Sequence, residues 1–392
     1  MKMNSPWNHF RTALAAALLL AAMPVLAETY TDTKEHRFSD VSELAILNLA
    51  GGVSLKGSSG KELVVKATFH GEATGAAEAR RFAEMLSLDV TTTGKRVEII
   101  TVYPVREHDE YIYHRGSNER GGSVLGGLFD WGSSSTTTYM GERVSVRSSG
   151  RGIAAHVDYE ILIPAGVRII FDNKVGVIRA ENVNGDLRLD TSSGAIGVTG
   201  GKGELVADTG SGEIEVSDRT GRVSADTGSG RVTVRKVDGE VEIDTGSGGA
   251  DVIDVVGDVR VDTGSGGVDM ENITGSVWVD TGSGGFDGRN LQGVRVLEID
   301  TGSGSSELEG DFSKLERMNI DTGSGGVRMK TKGTLNMHLT VSAGSGGVRV
   351  DLPDMKNVRT GRGEFEAQIG NGKGRGIIDT GSGGVRITSS DR

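Results

Sequence analysis

Between residues 190 and 284, Asp-Thr-Gly-Ser-Gly or a near copy returns every eighteen residues. Six copies hold that spacing, beginning at Asp190, Asp208, Asp226, Asp244, Asp262 and Asp280. Looser copies follow at Asp300, Asp321 and Asp379, with a degenerate version starting at Ser342. A fixed period this short restricts the chain to architectures built by stacking one small unit on the next.

The period also carries side-chain alternation. Three residues and one residue before each Asp stand apolar pairs: Leu187 and Leu189, Leu205 and Ala207, Val223 and Ala225, Val241 and Ile243, Val259 and Val261, Val277 and Val279. Six and eight residues after the Asp comes a second set, such as Ile196 and Val198 or Ile214 and Val216. Each unit therefore predicts two short strands with apolar residues inward. One turn is Gly-Ser-Gly and the other a lone Gly, in the column Gly203, Gly221, Gly239, Gly257, Gly275 and Gly293. Positive φ is thus available at both corners.

Two strands and two turns cannot bury an apolar face alone, but coils stacked at roughly 4.8 Å can, because every strand then pairs above and below. The fold class is all-β, a β-solenoid of about eighteen-residue coils. An eighteen-residue coil also suits a three-sided left-handed helix, but the near nine-residue spacing of the apolar pairs favours a flattened two-sided coil. The pattern does not give handedness.

Residues 1–27 read as a secretory signal peptide: Lys2 and Arg11, an apolar run over 13–22, then Val25-Leu26-Ala27 as a cleavage site. That run is shorter than the roughly 20 residues a membrane span needs. No later run is long enough, so the mature chain is expected to lack a transmembrane segment and to be exported to the periplasm, the cell surface or the medium. There is no Cys, hence no disulfide and no lipid-anchored Cys. Losing Lys2 and Arg11 takes the formal charge from -11 to -13. An acidic, exported, Gly-rich chain is a poor nucleic-acid binder. Its 62 glycines fall in phase with the repeat, so turns account for them better than disorder does.

Residues 28–103 read as N-terminal solenoid coils. Within them 47–57 is one coil in miniature, 63–69 and 97–102 are strands, and 76–88 has helical spacing through Ala79, Phe82, Ala83, Met85 and Leu86, which predicts one short capping helix. Residues 104–150 interrupt the pattern, and 115–141, rich in Gly, Ser and Thr, read as a long mobile loop in which Phe129 and Trp131 are candidate contact residues. Alternation returns at 157–163, and 151–392 forms the regular repeat solenoid. Its last coils are irregular and suit a cap.

The strands near the start, the 159–166 stretch ending in Ile-Pro-Ala-Gly, and the coils with Ser-Gly turns resemble the bacterial adhesin-like family called Toastrack domains. The resemblance covers most of 40–390. It implies a single-stranded, right-handed β-helix in envelope proteins, linked to adhesion or envelope stress and without established catalytic residues. The 104–150 insertion and the long Asp-Thr-Gly-Ser-Gly array go beyond the family pattern.

Asp-Thr-Gly-Ser after an apolar strand is also an aspartic-peptidase signature, but that chemistry needs two opposed carboxylates sharing a proton. Copies strung along one stack cannot supply them, and a turn motif is the better reading. Asp residues on successive coils repel by roughly 0.9 kcal/mol per pair even in bulk water. Asx-type turns, each carboxylate accepting its own backbone N–H groups, are the expected remedy. A Ca²⁺ column is the alternative, with a poorer ligand match at Glu213, Arg231 and Arg328. The run His108-Asp109-Glu110 with Tyr111, Tyr113 and His114 is dense in possible ligands, yet reads as a polar segment, so neither a metal nor a cofactor is expected. Trp278, between Val277 and Val279, points outward from mid-sheet and is a third candidate contact residue.

The expectation is a non-enzymatic, adhesin-like or envelope scaffold presenting a long β face to an envelope protein or a surface polysaccharide. The alternatives are a polysaccharide-active β-helix lyase or hydrolase and a calcium-binding extracellular repeat module. Enzymatic action needs a cluster of acids and bases in one groove, whereas the repeats spread the same residues evenly.

Overall fold

Stacking identical alternating strands places like on like, and the columns follow the sequence period. Leu187, Leu205, Val223, Val241, Val259 and Val277 are all buried and stand in parallel register. Ile196, Ile214, Val232, Ala250, Val268 and Phe286 form the facing column. The computed structural model describes residues 27–114 and 134–390. Over these the chain is a β-solenoid whose strands fall into two sheets, of 16 and 18 strands, around one continuous apolar core. The two-sided coil is thus the observed one.

Each corner has its own chemistry. At the lone-Gly corner φ is positive, +125° at Gly221, a region closed to most side chains. The Gly-Ser-Gly corner uses glycine differently, since a Cβ at Gly230 would lie 1.7 Å from the Gly212 carbonyl oxygen of the coil below. There glycine is required for close approach rather than for positive φ, which corrects the expectation for that turn. Between the two lies a bend absent from the sequence reading: Asp218, Lys236, Asp254, Asn272 and Asn290 all adopt φ between 52° and 58°. Asn and Asp tolerate this left-handed conformation best. The bend turns the next residue inward, giving a further buried column of Arg219, Val237, Val255 and Ile273. Arg219, the charged member, donates to the carbonyls of Gly185 (3.1 Å) and Gly200 (3.3 Å).

Both ends of the stack are interleaved. In one sheet the early strand Glu43–Ala50 continues the stack beyond the later strands, since Arg168–Val175 pairs with Glu43–Ala50 on one side and with Leu187–Thr191 on the other. Val53–Ser58 sits between Ile153–Pro164 and Ile178–Glu181. At the other end, Gly374–Thr380 slides between Arg317–Thr322 and Met337–Ala343, and Val385–Ser389 between Val327–Lys332 and Val348–Asp351. The last coil in sequence is therefore not the last in space.

The helix is Ala76–Glu84, and it buries Ala79 and Ala83 against the antiparallel pair Glu28–Phe38 and Leu63–Ala73. Residues 134–141 were expected to be loop. Instead Ser134–Tyr139 forms a hairpin with Glu142–Arg147, anchored by fully buried Tyr139, whose hydroxyl donates to the Thr101 carbonyl at 2.6 Å. Phe129 and Trp131 lie outside the described residues. Among the described residues no helix is long and apolar enough to cross a membrane.

Candidate functional site

Trp278 sits on the Val277–Thr281 strand with its ring outward, as alternation requires. It is half-buried rather than exposed, because the Arg260 guanidinium of the coil below lies 5.2 Å from the ring centroid. Arg260, Trp278 and Glu298 stand in direct register on successive coils and share a shallow groove of about 320 Å³ with Asp262, Asp280 and Asp300. An aromatic face backed by a cation is a surface on which a flat, polar-edged ligand can lie.

A second groove, about 550 Å³, runs across the other sheet near the C-terminal end. Its floor carries Arg328, Arg386 and Arg349 on three adjacent strands in direct register. Arg328 pairs with Glu307. Among the described residues Arg386 and Arg349 have no carboxylate partner. Like charges at a strand spacing of roughly 4.8 Å repel unless a counter-charge is present. No reading of the sequence in order could find this column, because it exists only through insertion of the 385–389 strand between two earlier ones.

The Asp ladder runs unbroken from Asp172 through the six regular copies, Asp190 to Asp280, to Asp300, Asp321 and Asp379. The expected Asx turns are not formed. The buried Thr does that work: Thr227 Oγ1 accepts from Gly230 N–H (3.0 Å) and donates to the Gly212 carbonyl of the coil below (2.9 Å), and Thr209, Thr245, Thr263 and Thr281 repeat the pattern. The reason is geometric: strand alternation turns Thr inward and Asp outward. Burial, then the neighbouring ladder carboxylates, hold Asp226, Asp244, Asp262 and Asp300 above the usual carboxylate range.

The sequence-level ligand run disperses. His108 and Asp109 lie off the short Glu110–Ile112 strand, Tyr111 is fully buried, and His114 Nδ1 lies 2.8 Å from Glu72 Oε2. Another cluster forms instead, from His70 on Leu63–Ala73 and from His156 and Asp158 on Ile153–Pro164. Antiparallel register sets His156 directly opposite His70. The two imidazoles stack with centroids 4.4 Å apart and Tyr113 packs edge-on at 4.9 Å. Asp158 Oδ2 stands 3.1 Å from His70 Nε2, while its Oδ1 accepts from Gly52 N–H at 2.7 Å. Burial brings the His156 pKa down to about 4, against an opposing pull from Asp158. The only sequence signal for this group was His-x-Asp and His-x-Glu on two strands whose pairing was not foreseeable.

Residues 237–388 match the family model described as Toastrack DUF4097, which bears out the resemblance over that part of the chain. No curated protein matches. A solved structure named as a "putative cell adhesion protein" from Clostridium sporogenes is 10% identical, covering 92% of this chain and 100% of its own, with a TM-score of 0.15. A score that low says nothing about shared shape.

Proposed function

We propose that this protein is a non-enzymatic, exported, adhesin-like envelope scaffold whose solenoid holds an anionic surface polysaccharide. The observation that carries this reading is the Arg328, Arg386 and Arg349 column in its groove, two members of which lack a partner among the described residues. On a chain of net charge -11, three Arg residues in one column are an exception that a carboxylate- or phosphate-bearing polymer would complement. Bidentate contacts to such groups suit Arg geometry. Trp278 offers a second contact on the opposite sheet, and a rigid stack keeps both at fixed separation along an extended ligand. The outward ladder carboxylates repeat at coil spacing instead of flanking one bond from two sides, as glycoside hydrolysis requires.

The test is co-sedimentation of the purified protein with envelope fractions and insoluble acidic polysaccharides, with the supernatant assayed for new sugar ends. The expected result is salt-sensitive binding without release, weakened at least several-fold in an Arg349→Glu, Arg386→Glu variant. Release of sugar ends would make the protein an enzyme. Binding indifferent to both substitutions would remove the Arg column as the contact.

A further inference from the structure

We propose that His70, His156 and Asp158 are a binding site for one transition-metal dication, with Zn²⁺ the best match. Their candidate ligand atoms all lie within 4.8 Å of one another. Two ligands two apart on one strand share a face, and a third directly across on the paired strand faces them. A sheet can thus present three donors to one point without a specialised loop.

The supporting shell is also present. Asp158 is fixed by the Gly52 N–H on Oδ1, which leaves Oδ2 turned toward His70. The His70 Nε2 atom is buried and lies 3.1 Å from that carboxylate oxygen, so nitrogen and oxygen donors already converge on one point. An ion seated there would bond the carboxylate and the ring nitrogens together. His156 is buried beneath Tyr113, while the Asp158 side chain is 40% exposed and marks the route of entry. Two imidazole nitrogens and one carboxylate are a donor set for Zn²⁺ or its transition-metal neighbours. Ca²⁺ and Mg²⁺ prefer oxygen alone. The stacked rings must rotate apart to aim both nitrogens at one ion, and water would complete a tetrahedral shell.

The experiment is titration of the EDTA-stripped, desalted protein with Co²⁺, read by its visible absorption, followed by displacement with Zn²⁺. One Co²⁺ per chain is expected, displaced by Zn²⁺. Affinity should fall roughly tenfold or more in His70→Gln and in His156→Gln and be unchanged in His338→Gln, a distant exposed histidine. Absence of stoichiometric uptake, or uptake unchanged in both site variants, overturns the site. If either variant misfolds by circular dichroism, X-ray absorption of the Zn²⁺-loaded unsubstituted protein decides. Two imidazoles in the shell support the assignment, and fewer than two overturn it.

Discussion

Asn48 donates a 2.9 Å hydrogen bond from Nδ2 to Oδ1 of Asn173, and both side chains are fully buried. The two residues stand in direct register on strands from distant parts of the chain, and Asn173 Nδ2 in turn donates to the Gly51 carbonyl at 2.9 Å. The pair seals the N-terminal interleaving, with Asn48 Nδ2 also donating to the Ala50 and Val157 carbonyls at 3.1 and 3.0 Å. Asn173→Leu should cost about 1–3 kcal/mol, since it leaves the buried Gly51 carbonyl without the Asn173 donor and takes one of three acceptors from Asn48 Nδ2. Urea unfolding checks this. The Asn48→Leu, Asn173→Leu double variant should lose less than the sum of the single losses.

Within the repeat, the inward Thr and the close-approach Gly should be the least replaceable positions. Thr245→Val removes the acceptor for Gly248 N–H and the donor to the Gly230 carbonyl, at a cost of about 1–3 kcal/mol. Gly230→Ala drives a methyl into the coil below and should be worse. Gly347→Ala, where a Cβ meets nothing within 4 Å, should be nearly silent, with all three variants compared by thermal unfolding.

Asp244→Asn should act in the opposite direction. Its carboxyl is held above the ordinary range, so ionisation costs more in the folded chain than in the unfolded one. The penalty is present at neutral pH and disappears as pH falls through the raised value. The variant should therefore be more stable than the parent at pH 7 in low salt. That advantage should shrink with added salt and vanish on acidification toward the ordinary carboxylate range, as compared by Tm across pH.

Deleting residues 374–392 should damage the end of the stack more than its length suggests. It removes buried Ile378, Val385 and Ile387 and leaves an empty level between Arg317–Thr322 and Met337–Ala343. The expected outcome is a lower Tm together with self-association, because unpaired strand edges recruit other edges. Sedimentation velocity reads the second effect. A monomer of unchanged Tm would show that the inserted coil contributes nothing.

The regular coils were legible in the sequence because period, alternation and the Gly columns all pointed the same way, and Leu187 to Val277 fall where the pattern puts them. The expected Asx turns at Asp226 or Asp244 failed because the alternation that buries Ala225 and Ile243 turns Thr inward and Asp outward, so Thr227 and Thr245 took the capping role. The bend at Asp218 to Asn290 was hidden because Asp, Lys and Asn share no apolar signature, only tolerance of positive φ. The two interleaved ends were illegible in principle. No local feature of 43–58 or 374–389 states that a distant segment leaves a level open for it. The Arg column and the His70, His156 and Asp158 cluster inherit that blindness, since each depends on such long-range pairing.

The eighteen-residue coils between the two interleaved ends meet only their immediate neighbours, and each offers the same columns above and below. Excising residues 227–244, or duplicating them, would bring Asp226 against Asp262 or Asp244 against its own copy with every inward side chain still in phase. The reach of this molecule is thus a variable separable from its anchorage. It can be shortened or extended one level at a time, changing the distance between the two ends while leaving the chemistry at each of them intact.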